Sequence, residues 1–147
     1  MDESSELREP PAFISLFYPV RFPLLGIVHL VIGAIYLYDC PAQHYIPIYL
    51  LVMGVVTLMQ HMLLFCPYTA RFASSKAWIS LIVLFLFCWF ITGNVWIFSI
   101  YEPNYNKTAA PINAYCNKTL YLFAYWITIA YCILFALYSC FRVRDDD

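Results

Sequence analysis

Among the stretches of this sequence without a charged side chain are Ala77 to Tyr101, 25 residues between Lys76 and Glu102, and Thr119 to Phe141, 23 residues between Lys118 and Arg142. A helix rises about 1.5 Å per residue, so roughly 20 residues cross a hydrocarbon core of about 30 Å. Each stretch is long enough to do so. The whole chain of 147 residues is 63% hydrophobic and only 12% charged. A water-soluble fold of this size keeps too much of its surface in solvent to hide that apolar excess. Lipid is therefore the expected solvent, and a single domain the expected organisation. The formal net charge of -1 argues against a nucleic acid partner, because phosphate binding needs a basic surface.

The same reasoning divides the region from Arg21 to Arg71. Its one acid, Asp39, lies in Tyr38-Asp39-Cys40-Pro41-Ala42-Gln43-His44, a segment too polar for mid-bilayer. It is read as a loop between spans at about 22–38 and 45–65, with Pro47 in the first helical turn, where its missing N–H costs nothing. The expected fold is all-α: a four-helix transmembrane bundle with spans at about 22–38, 45–65, 77–101 and 119–141. Residues 1–21 form a polar tail ending in a short interfacial aromatic segment, and residues 142–147 a second tail. No cleavable signal peptide is expected, because the leading segment lacks a basic n-region.

Arg8, Arg21, Arg71, Lys76, Arg142 and Arg144 fall on one side of such a bundle, and Lys107 and Lys118 on the other. By the positive-inside rule both termini are cytoplasmic, and the protein belongs to the secretory pathway or plasma membrane. The sequons Asn106-Lys107-Thr108 and Asn117-Lys118-Thr119 fall on the opposite side, where N-glycosylation takes place. Asn117 is so close to the fourth span that Asn106 is the better acceptor. Cys40 and Cys116 are the two cysteines of the non-cytoplasmic loops, in an oxidising compartment; they form either a disulfide or two free thiols. Cys66 and Cys140 lie at cytoplasmic span ends, where cysteines are sites of palmitoylation; plain thiols are the simpler reading for them and for Cys88 and Cys132.

Val31 to Tyr36, Asp39-Cys40-Pro41, Gln43 to Leu50, Leu86 to Ile91, Gly93-Asn94-Val95-Trp96, Pro103-Asn104-Tyr105 and Tyr115 to Tyr121 together resemble the transmembrane protein 272 family of small four-span proteins. The resemblance runs from about Val31 to Trp126. It implies the four-span fold and a membrane location, and it carries no reaction from which a catalytic residue could be transferred.

Within the spans, His29, His61 and Asn94 most need internal partners, because hydrocarbon supplies none. The histidines sit roughly 10 and 6 Å from the cytoplasmic face. They form either a pH-sensitive pair or two neutral rings bonded to carbonyls or hydroxyls. Gln60 can serve another helix as a partner. Gly54, Thr57 and His61 share one face of span two, with apolar Leu50 one turn further out. Gly26, His29 and Gly33 mark a similar stripe on span one. Small residues allow close backbone approach in lipid, so the stripes read as a packed interface between the two spans, or else as a path through a homo-oligomer. Trp96, Tyr101, Tyr121, Tyr125 and Trp126 read as an interfacial aromatic belt.

The chain has no C-x-x-C, H-x-x-x-H, G-x-S-x-G or Walker sequence and no acidic pair inside a span, so neither an enzyme nor a cofactor is expected. Asp39, His44 and Glu102 lack metal-ligand spacing, and no metal is expected. The reading that follows is a membrane interaction or structural protein with membrane lipids as its surroundings and an unidentified protein partner. The alternative is a subunit of a homo-oligomeric channel whose path is lined by span two.

Overall fold

The computed structural model describes residues 12–108 and 112–145. Among these the chain forms five α-helices and no strand: α1 (Ala12–Ile35), α2 (Tyr45–Phe65), α3 (Pro67–Ala73), α4 (Lys76–Ser99) and α5 (Lys118–Asp145), with a 3-10 turn at Ile112–Ala114. Three of these helices contain segments long and apolar enough to cross a membrane: Tyr45–Phe65, Lys76–Ser99 and Lys118–Cys140.

The helix ends follow local chemistry. Cys66 precedes Pro67, and a residue before proline is pushed out of the helical region; its ψ of 118° ends α2, and Pro67 opens α3 at a position where proline is welcome. Ser75 caps α4 by accepting a hydrogen bond from the Trp78 amide at 3.3 Å. Asn117 does the same for α5, accepting from the Thr119 amide at 2.9 Å. The first helix differs from the sequence reading. It is continuous from Ala12 to Ile35, so the aromatic segment before Arg21 extends the helix instead of forming a separate piece, and residues 36–38 form a turn.

The loops 36–44 and 100–117 meet at one end of the bundle, called here the capped end. The described core gathers there. Ile46, Tyr49, Leu50 and Met53 of α2, Ile97 of α4, and Leu120, Tyr121, Ala124 and Thr128 of α5 are buried, all in the halves of their helices next to the cap. Towards the opposite end Met62, Phe65, Leu81, Val83, Leu84, Leu134 and Phe135 are exposed. Ala73 is the exception, buried where α3 folds back. Only 11% of the most apolar stretch of α4 is buried, which makes α4 the helix most given over to lipid.

α1 packs along α2 through glycine. A Cβ on Gly54 would lie 2.8 Å from the Gly26 carbonyl oxygen and 2.9 Å from the Leu30 amide nitrogen, and one on Gly33 would lie 2.9 Å from the Pro47 carbonyl oxygen. Backbone meets backbone at these points, the close approach that joins helices where lipid gives no hydrophobic drive. At Gly26 the nearest atom is instead Leu58 Cγ, a side chain that can shift. Gly54→Ala is therefore expected to cost about 1–3 kcal/mol by overpacking and Gly26→Ala less, an order that a denaturation series on the two variants will check.

Candidate functional site

The cap is a covalent and hydrogen-bonded junction of two loops. Cys40 and Cys116 form a disulfide with Cα atoms 4.0 Å apart, and both residues are buried. Around it the Ala42 amide donates to the Tyr115 carbonyl at 3.1 Å, the Asn117 amide to Asp39 at 2.8 Å, and the Cys116 amide to Asn104 at 3.0 Å. Lys107 lies 3.5 Å from Asp39, an exposed pair of small energetic worth. Tyr105, beside the cap, has its phenol pushed above the ordinary value by partial burial and then by the Glu102 charge. Among the described residues, Asp39, His44 and Glu102 do not join in a group able to hold a metal.

Inside the helices most polar side chains satisfy themselves. Thr57 donates to the Met53 carbonyl at 2.7 Å, Asn94 to Phe90 at 2.8 Å, and Thr92 to Cys88 at 2.9 Å. Each bond runs back one turn along the same helix, which removes much of the cost of a polar group in lipid. Gln60 works between elements: its carbonyl oxygen accepts from the Trp78 indole at 2.8 Å, and its amide reaches Ala73 at 3.5 Å, tying α2 to α3 and α4.

The two histidines go to different partners. His29 is 2% exposed, donates from Nδ1 to the Leu25 carbonyl at 2.7 Å, and packs on Phe123 and Tyr131 of α5. His61 lies against Phe65 of its own helix. In the stripes expected to join spans one and two, Gly26 faces Gly54 and Gly33 lies against Pro47 and Leu51, whereas His29 turns towards α5.

Where the helices part, away from the cap, they leave a cavity of about 350 Å³ lined by Leu25, Met53, Thr57, Val83, Phe90 and Tyr131, with Leu86, Phe87 and Phe135 completing its wall. All four long helices contribute. Thr57 and Tyr131 are its two polar side chains, and the Thr57 hydroxyl is already spent on Met53.

No family model and no solved structure matches the chain. It is 38% identical over 132 aligned residues to human transmembrane protein 272, covering 74% of this chain and 71% of that protein. The chain belongs to the transmembrane protein 272 family. Its apolar helices and its kinship agree in making it a membrane protein.

In this member of the transmembrane protein 272 family, sequence reasoning singled out Thr57, Gln60, His29, His61 and Asn94 but passed over Tyr49 and Thr128, both buried in the bundle. The Tyr49 ring lies across Gly93 of α4. Of the cysteines placed at cytoplasmic span ends, Cys66 is exposed, and hydrogen bonding from the Tyr68 amide and then from Thr69 pushes its thiol below the ordinary value. The cap has a direct consequence for stability. The disulfide closes a long loop, with 76 positions separating its ends, so Cys40→Ser or mild reductant is expected to remove about 2–4 kcal/mol, read as a lower denaturation midpoint in detergent.

Proposed function

We propose that the chain crosses the membrane four times with both termini in the cytoplasm, and acts as a membrane interaction protein that takes a lipid acyl chain into the cleft between its parted helices. The observation that carries this reading is the cavity of about 350 Å³, almost wholly apolar and walled by α1, α2, α4 and α5. An apolar space does not hold water. A helix with its side chains is about 10 Å across, too bulky for this volume, whereas a single hydrocarbon chain fits. No catalytic role is proposed.

Several features support the orientation. The basic residues divide six against two. α1 lies against α2 from Pro47 to Leu58, which suits a crossing of the same bilayer, and its apolar part, Pro23–Ile35, is the shortest of the four proposed spans. A disulfide at the cap fits an oxidising compartment. A homo-oligomeric pore along span two would need the face with Gly54, Thr57 and His61 free, yet Gly54 is packed on α1 and Leu50 is buried.

Asn106 is proposed as the glycosylated residue. Its side chain is exposed and, among the described residues, bonds within its own sequon, to Thr108 at 2.7 Å, while Asn117 is occupied in capping α5. Asn106→Gln is expected to abolish the glycosidase-sensitive shift in gel mobility and Asn117→Gln to leave it; an insensitive parent protein contradicts the orientation. For the cleft, a photoactivatable fatty acyl lipid in the membranes of expressing cells is expected to label 83–90 and 131–135, and Val83→Trp to suppress the labelling. Labelling spread equally over exposed positions such as Val95 overturns the lipid reading.

A further inference from the structure

From Cys40 to Tyr101 the chain holds no acidic residue and two basic ones, Arg71 and Lys76. Both stand at the end of the bundle away from the cap, in the corner where α3 turns the chain from α2 into α4. One face of α3 is fixed against its neighbours. The Thr69 hydroxyl donates to the Leu63 carbonyl at 2.8 Å, Ala73 is buried, and the Gln60 amide reaches the Ala73 carbonyl. The other face carries Tyr68 and Phe72, one turn apart, with Arg71 beside them. All three are exposed, Tyr68 to 94%. Lys76 follows, exposed, in the first turn of α4. The Phe72 ring lies 4.8 Å from that of Trp78, whose indole is bonded to Gln60, so α2 and α4 together hold the corner in place.

α3 begins just beyond the end of α2, at the level where a chain crossing with α2 and α4 leaves the hydrocarbon. Aromatic rings favour that level, and basic side chains there meet lipid headgroups. The charge of the corner is complementary to one class of lipid. Two exposed bases with no acid in the same stretch suit an anionic headgroup, and a guanidinium can grip a phosphate through two parallel hydrogen bonds. Other bases assigned to this side stand beside acids in the sequence: Arg8 lies between Glu6 and Glu9, and Arg144 precedes Asp145. Among the described residues the one ion pair, Lys107 with Asp39, is at the capped end.

We propose that α3 and the first turn of α4 form a docking surface for an anionic phospholipid. Arg71 and Lys76 take the negative headgroup, and Tyr68 and Phe72 rest at the boundary between headgroups and chains. The proposal rests on the four-span reading, because α3 must lie at a bilayer surface, but not on the compartment that surface faces or on the acyl cleft.

The full chain in phosphatidylcholine vesicles tests it. Spin-labelled phosphatidylserine and phosphatidylcholine with the same labelled chain are compared by the fraction of each held immobile beside the protein. A base near an anionic surface is worth about fivefold, and phosphatidylserine is expected to be favoured by at least that factor. Arg71→Gln with Lys76→Gln is expected to bring the ratio close to one, and Arg71→Lys with Lys76→Arg to retain it. Lys107→Gln with Lys118→Gln, at the capped end, is expected to leave it unchanged. In the unmodified protein, salt at about 1 M shortens electrostatic reach to roughly 3 Å and is expected to erase the preference. Equal association of the two lipids, which leaves the corner to an acidic protein segment, overturns the proposal, as does a preference that survives loss of both bases. No immobile fraction of either lipid overturns the four-span reading along with it. Both leaflets carry the label, so a reversed orientation leaves the result standing and is read separately at Asn106.

Discussion

The joining of two loops by Cys40 and Cys116 is the constraint on which the rest of this bundle depends. In lipid, helices gain nothing from hiding apolar surface from one another, so they associate through close packing, hydrogen bonds and covalent ties. The disulfide and the bonds around it hold the chain after α1 against the chain before α5. Tyr49, Leu50, Ile97, Leu120 and Ala124 then pack below that junction. Glycine does comparable work along α1 and α2, where Gly26, Gly33 and Gly54 bring backbone against backbone or the adjoining side chains.

Away from those ties fewer side chains are buried, and the two halves differ in chemistry. Near the cap, aromatic rings interlock: Tyr45 stacks on Trp96 at 5.0 Å and Phe98 meets Tyr125 edge-on at 5.7 Å. Farther away, the Trp78 to Gln60 bond holds α4 to α2 on one flank, and the remaining space forms the apolar cavity. Polar side chains that satisfy themselves along their own helices leave that cavity oily.

Much of this architecture is legible in the sequence, because charged residues mark where helices leave lipid. The span 45–65 coincides with α2, since Asp39 and the Cys66-Pro67 step bound it on both sides. The last two spans agree with α4 and α5 to within a few residues. Arg21 misleads at the start of α1, because a charge marks a solvent boundary, not the end of a helix. The glycines of the stripes lie where α1 and α2 come close, but a stripe carries no information on which neighbour each side chain faces, so His29 against Tyr131 was not readable. Thr128 and Tyr49 were hidden for a related reason. Their burial is a property of the assembled helices, not of any one span.

The most direct test of a bundle tied at the cap and open at the far end is a pair of spin-label distance distributions in nanodiscs, measured with the four free cysteines replaced. One pair spans α4 and α5 near the cap, at Val95 and Trp126; the other spans them near the far end, at Leu84 and Leu137, all four positions being exposed. The account predicts a narrow distribution for the first pair, a broad one for the second, and broadening of the first once the Cys40–Cys116 bond is removed. Equally narrow distributions at both ends, unchanged by loss of the disulfide, would contradict it.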